Sequence, residues 1–224
     1  MDKIALVTGS SSGIGELFAL TLLDQGFFVI GGSRSECDID HENFLDLSLD
    51  VSNEKSVKLF FKEIESHTEV IDVFIDCAGV CDQSSLRDTS LGELSSNLST
   101  NSIGTFLVYK EFENFIIEDE TIILSILPIA AKKNYEFTLA YSASQSAKKS
   151  IIDSIKKEWK KYQVQFTSVF LGPVNTPIWE DFDEVEADKM IQVEELASFL
   201  KYVLSKSQVL NIDEITLNNK YSLI

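Results

Sequence analysis

The segment Thr8-Gly9-Ser10-Ser11-Ser12-Gly13-Ile14-Gly15 gathers glycines and hydroxyls where an apolar run, Ile4-Ala5-Leu6-Val7, gives way to a helical pattern. Glycines at such a junction permit a tight turn and a close approach of backbone to ligand, and the N–H groups that open a helix attract an anion. Gly9, Ser11, Ser12, Gly13, Ile14 and Gly15 are therefore a candidate cradle for the pyrophosphate of a dinucleotide. The same glycines without a strand before them and a helix after them would mark only a turn. A second apolar run ends in Gly31-Gly32-Ser33-Arg34. A carboxylate at that strand end accepts from a ribose 2′-hydroxyl, whereas a guanidinium offers its donor fork to a 2′-phosphate. Arg34, with no acid at position 33, points to NADP(H) in preference to NAD(H), although Glu36 and Asp38 stand near enough in sequence to pair with it.

The elements that must position these residues can be read from hydrophobic periodicity. Strands are predicted at 3–8, 27–32, 46–50, 71–76, 121–127, 164–170 and 212–217, and helices at 14–25, 53–66, 91–115, 138–162 and 193–206. Strands separated by helix-length segments imply βαβ crossovers. The expected fold class is α/β, a Rossmann-type doubly wound parallel sheet of about seven strands with helices on both faces. Strands covered on both faces should be almost continuously apolar, as 121–127 and 164–170 largely are. No repeat, low-complexity tract or linker divides the chain, so residues 1–224 are expected to form one dinucleotide-binding domain.

Composition excludes several classes of partner. With 36 acidic and 19 basic residues the formal charge is −17, which opposes binding to nucleic acid and to an anionic membrane surface. The most apolar window, 122–131, is far shorter than the roughly 20 residues needed to span a bilayer. Three cysteines, Cys37, Cys77 and Cys81, fit a reducing compartment better than a disulfide framework. The C-x3-C spacing of Cys77 and Cys81 has only His41 and His67 to complete it, in no recognised ligand pattern, so no metal is expected. Met1-Asp2-Lys3 leads straight into the first strand; no signal peptide is expected, and the location expected is cytoplasmic. Eight of the nineteen Lys and Arg residues lie between Lys132 and Lys161. On a helix at 138–162 they form either a solvated face or a surface for an acidic protein partner.

The pattern Thr-Gly-x-x-x-Gly-x-Gly from Thr8 to Gly15 resembles that of the short-chain dehydrogenase/reductase family, and further segments match it in order along essentially the whole chain. Asp50-Val51 is similar to the family's adenine-contacting Asp segment, and Asp76-Cys77-Ala78-Gly79 to its Asn-Asn-Ala-Gly. Asn101-Ser-Ile-Gly104 resembles the active-site Asn region. Tyr141-Ser-Ala-Ser-Gln145 stands where the family has Tyr-x-x-x-Lys, and Gly172-Pro-Val174-Asn-Thr176-Pro177 matches its Pro-Gly-x-x-x-Thr turn. The resemblance implies Tyr141 and Asn101 as catalytic residues. It adds Asp50, Val51, Ala78, Gly79, Gln145, Gly172, Val174 and Thr176 to the cofactor contacts. It also implies a small carbonyl or alcohol substrate and a homodimer or homotetramer paired through helices 91–115 and 138–162.

The departures from the family pattern fall on one side. Gln145 stands for the Lys that holds the nicotinamide ribose and lowers the Tyr pKa; Pro128 stands where the carbonyl-orienting Ser is expected; Leu171 replaces a Pro. Ser125 corresponds to an earlier Asn of the same strand, and Lys148, about a turn further from Tyr141 than Gln145, is not expected to replace the missing Lys. The adenine half keeps its pattern while the nicotinamide half does not. Three readings follow: an NADP(H)-dependent carbonyl reductase with an altered active site, a cofactor-binding pseudoenzyme acting as a structural or regulatory partner, and a non-redox enzyme using Tyr141 as an acid. A nicotinamide pocket filled by Phe170, Leu171 or Trp179 would mark the pseudoenzyme, and an open pocket faced by Tyr141 the reductase. After Pro177, the acidic stretch Glu180, Asp181, Asp183, Glu184, Glu186 and Asp188 is read either as a short substrate lid that repels anions or as a solvated loop.

Overall fold

A computed structural model describes residues 3–179, 186–205 and 210–221. Its centre is β1 (Ile4–Thr8), whose Ala5, Leu6 and Val7 are completely buried. Successive side chains of a strand point to opposite faces, so Ala5 and Val7 enter one core and Leu6 the other. Around β1 lies a seven-stranded sheet, all parallel, in the order β3-β2-β1-β4-β5-β6-β7. The other strands are β2 (Phe28–Ser33), β3 (Phe44–Ser48), β4 (Val73–Asp76), β5 (Ile122–Pro128), β6 (Gln165–Leu171) and β7 (Glu214–Leu217). This is the doubly wound α/β sheet that the alternation of patterns predicts.

Helices α1 (Gly13–Asp24) and α6 (Val193–Leu204) cover one face, where Phe18, Leu22 and Leu200 pack on Val29, Ile75 and Val169. Helices α2 (Glu54–Ile64), α4 (Gly104–Phe112) and α5 (Leu139–Glu158) cover the other. That side is rich in rings: Phe74, Tyr109, Phe112, Trp159 and Phe166 pack with centroids 4.3–6.0 Å apart, most of the pairs tilted, with Tyr109 stacked on Phe166 and edge to face with Phe74.

Two boundaries depart from the sequence reading in ways that matter for the site. β3 begins two residues earlier than expected, because Phe44 pairs with Val29. Asp50 therefore lies beyond the strand in a turn, where its carboxylate accepts from Ser52 N at 3.0 Å and Ser52 Oγ at 2.7 Å. The segment expected as one helix at 91–115 is α3 (Leu91–Asn97), a π-helical turn at Leu98–Ile103, α4, and a 3-10 turn at Glu113–Phe115. The π turn carries Asn101 and Ser102 inward, both buried, and the Thr105 hydroxyl donates to Asn101 O at 2.9 Å. Single π turns of this kind are frequent at functional sites.

Candidate active site

The strand order reverses between β1 and β4, and ligands of open α/β sheets bind beyond the carboxyl ends of strands at such a point. A cavity of about 220 Å³ opens there. Its lining includes Gly9, Ser11, Ser12, Gly13, Ile14 and Gly15 from the turn, Arg34 from the end of β2, Asp50 and Val51, and Ala78 and Gly79. The turn is built for close approach. Gly9 has φ +72°, and a Cβ on Gly15 would sit 2.1 Å from Gly9 O. Helix α1 starts at this cavity with no side-chain cap on its first N–H groups, whereas α2 is capped by the Asn53 side chain. Uncapped N–H groups at a helix start need a partner, and an anion supplies one. Arg34 and Asp50 are the charged residues of the lining, and Arg34 pairs with neither Glu36 nor Asp38.

A second cavity of about 430 Å³ adjoins the first, sharing Ile14, Cys77, Ala78, Gly79, Thr176 and Ile178 with it. Tyr141, Gln145 and Lys148 from α5 line it, with Pro128 at the end of β5, Leu171 and Gly172 at the end of β6, and Val174 beyond. Leu171 and Trp179 belong to its wall and do not close it, and Phe170 is fully buried in the core. Burial pushes the Tyr141 phenol well above its ordinary pKa, and Cys81 adds to the shift. Burial likewise pushes the Cys81 thiol up to about 12. Gln145 is 4% exposed, and its Oε1 has no hydrogen-bond partner. An amide oxygen left so costs stability in the free protein, and it fits a ligand that brings a hydroxyl donor to this wall.

The sequence model of the short chain dehydrogenase family matches residues 3–187. The chain belongs to the short chain dehydrogenase family. An uncharacterized oxidoreductase of Staphylococcus haemolyticus (strain JCSC1435) is 28% identical to it over 222 residues, 96% of each chain. Among solved structures, an alcohol dehydrogenase from the archaeon Thermococcus sibiricus, complexed with 5-hydroxy-NADP, has a TM-score of 0.89 at 22% identity, covering 99% of this chain and 98% of that one. The closed form of a serine dehydrogenase complexed with NADP+ has a TM-score of 0.85 at 20% identity, covering 96% and 94%. These two structures speak to the fold.

Within this short chain dehydrogenase, the residues singled out from sequence come together around the two joined cavities, with one exception. Asn101 lines neither. Its side chain accepts from Val80 N, donates to Val80 O and donates to Ser144 Oγ, each at 2.9 Å. Ser144 Oγ in turn donates to Tyr141 O at 2.8 Å. Asn101 thus braces both the loop after Gly79 and the first turn of α5. Ser125 faces away from the cavity and hydrogen-bonds the buried Tyr109 hydroxyl.

Sequence reasoning left out Ser35 and Thr100, which also line the cavities; it weighed Cys81 only for a metal and Trp179 only as a side chain that could fill the pocket, and it set Lys148 aside. Lys148 is buried against Asp76, the residue that stands at the family's Asn position. The Lys-rich segment is largely engaged within the chain. Lys132 pairs with Glu214, Lys149 with Asp153 and Lys161 with Glu113, and Lys156 donates to Asp213 O. Glu180, Asp181, Asp183 and Glu184 of the acidic stretch lie outside the described residues, while Glu186 pairs with Lys189. Among the described residues no helix is long and apolar enough to cross a membrane.

Proposed function

We propose that the protein is an NADPH-dependent reductase of small carbonyl compounds, an oxidoreductase whose proton donor is Tyr141. The observation that carries this reading is the open second cavity, lined by Tyr141 and continuous with the phosphate turn. A pseudoenzyme needs no such space, and the side chains that could have filled it stand aside. The relatives' names as oxidoreductases and the NADP-type ligands bound by two fold neighbours agree with it.

Gly9, Gly13 and Gly15 with the N-terminus of α1 would hold the pyrophosphate, Arg34 a 2′-phosphate, and Asp50 and Val51 the adenine end. Ala78, Gly79, Gln145, Gly172, Val174 and Thr176 would hold the nicotinamide end. When bound, NADPH would supply hydride for the carbonyl carbon. Tyr141 holds its proton at neutral pH, so its O–H donates that proton to the carbonyl oxygen and the product is the alcohol. The phenolate left behind is reprotonated from solvent. Pro128 has no hydroxyl with which to polarise the carbonyl, and Gln145 has no charge with which to lower the phenol. Reduction therefore rests on a neutral acid, and oxidation is the handicapped direction. Asn101 acts as a positioning residue through Val80 and Ser144. Pairing of two chains through the α3–α4 and α5 segments, where Ile103 and Phe106 stand exposed, belongs to the same proposal; light scattering showing a monomer at micromolar concentration contradicts it.

Calorimetric titration with NADPH and NADH, followed by a carbonyl panel read through NADPH absorbance, tests the function. NADPH binding stronger than NADH binding and turnover lost in Tyr141→Phe are expected. No dinucleotide binding, or turnover undiminished by Tyr141→Phe, refutes the reading.

A further inference from the structure

A buried ion pair underlies the second cavity, and the proposed chemistry does not use it. Lys148 Nζ lies 2.9 Å from Asp76 Oδ2, with side chains 2% and 3% exposed. The contact is electrostatic rather than an aligned hydrogen bond, for Oδ2 has no hydrogen-bond partner, whereas Oδ1 accepts from Thr8 Oγ1 at 3.0 Å. An ammonium carries three N–H donors. Among the described residues its one aligned acceptor is Ala78 O, at 3.4 Å.

Stability gives no reason to keep such a pair. Taking two charges out of water costs more than a loosely aligned contact returns, and apolar residues of the same volume are commonly neutral or stabilising in their place. Its location supplies a reason. Lys148 borders the second cavity and not the first, and so does Gln145. The two are three residues apart on α5, hence neighbours on one helix face. Gln145 presents a buried acceptor without a donor, and Lys148 presents donors in excess of its acceptors. An unused acceptor beside unused donors matches a ligand bearing hydroxyls, which both donate and accept.

We propose that Gln145 and Lys148 form a split clamp for the ribose hydroxyls at the nicotinamide end of the dinucleotide, with Asp76 as the positioning residue that holds the ammonium. The proposal rests on the dinucleotide reading above. One neutral and one charged side chain then share the holding of that ribose. Lys148 leaves the Tyr141 phenol alone, since burial and Cys81 are what shift it.

The test compares NADPH with 2′,5′-ADP, which carries the adenosine half alone, by calorimetry on the full chain, with a thermal melt for each variant. Asp76→Asn/Lys148→Leu removes both charges together, and the Asn keeps an acceptor for Thr8. This double variant is expected to melt near the wild type, to bind 2′,5′-ADP unchanged and to bind NADPH at least about tenfold more weakly, the loss of a charged donor. Gln145→Leu removes the other arm and is expected to show the same selective loss. That variant decides the matter if the double variant fails to fold. NADPH affinity within twofold of wild type in a folded variant overturns the clamp. So does an equal loss for both ligands, which marks a general distortion. A wild type that binds 2′,5′-ADP but gains nothing from the nicotinamide half refutes the clamp alone. A wild type that binds neither ligand refutes the cofactor reading as well.

Discussion

Carbonyl reduction and alcohol oxidation by this protein are expected to respond differently to pH, because a buried Tyr141 is a good store of protons and a poor base. Its phenol is pushed above the ordinary value of about 10, first by burial and then by Cys81. An unperturbed phenol is only about 0.1% ionised at pH 7, and the buried one is ionised less. Oxidation needs the phenolate to accept the alcohol's proton. At pH 7 it therefore runs at least roughly a thousandfold below its limit and gains about tenfold per pH unit. The rise should pass pH 10 without a plateau, since the folded value lies higher than that. Reduction draws on the neutral phenol, whose fraction stays constant from about pH 6 to 9, so its rate should be flat there. Tyr141→Phe removes the acid and should cost roughly 10²–10⁴ in kcat while leaving NADPH affinity within about twofold. Initial rates in both directions, followed through NADPH absorbance in one mixed buffer, give the two profiles. An oxidation profile that levels off near neutrality would refute the reasoning, because it requires a cation that lowers the Tyr141 phenol.

Three further outcomes follow from named contacts. Arg34→Ala should weaken NADPH by about tenfold, the low end of a charged hydrogen bond because Arg34 is exposed, and leave NADH unchanged; calorimetry with both cofactors checks it. Gly15→Ala places a Cβ 2.1 Å from Gly9 O, so it should lower Tm by roughly 2–12 °C and abolish dinucleotide binding. A variant that melts and binds like wild type contradicts the rigidity assigned to the turn. Gln145→Lys with Pro128→Ser should raise reductase activity and bring its decline at high pH to lower pH, with oxidation gaining more than reduction, and the gains should not simply add. An active wild type that gains nothing from this pair of changes is adapted around Gln145.

Much of the fold was legible because its signals are local. Apolar runs such as Ile4–Val7 and Ile122–Leu127 mark strands buried on both faces, and the helical periods between them enforce parallel crossovers. Gly9 and Gly15 announce the turn, since backbone conformation and close approach limit which residues stand there. Arg34, Tyr141 and Gln145 were found by their places in motifs, whose spacing survives in a single sequence. Three features belong to tertiary structure alone. The widened turn that carries Asn101 inward has the same residue periodicity as an ordinary helix over so short a stretch, so only the packing of α5 against it makes it visible. The pairing of Lys148 with Asp76 joins residues far apart in sequence, and its reach depended on how α5 lies against β4. Whether the second cavity is open or filled turned on side chains at the ends of β5 and β6, whose volumes are written in the sequence but whose directions are not. Local order follows from near neighbours along the chain. The charge, the space and the orphaned acceptor in the second cavity come from contacts among residues that only folding brings together.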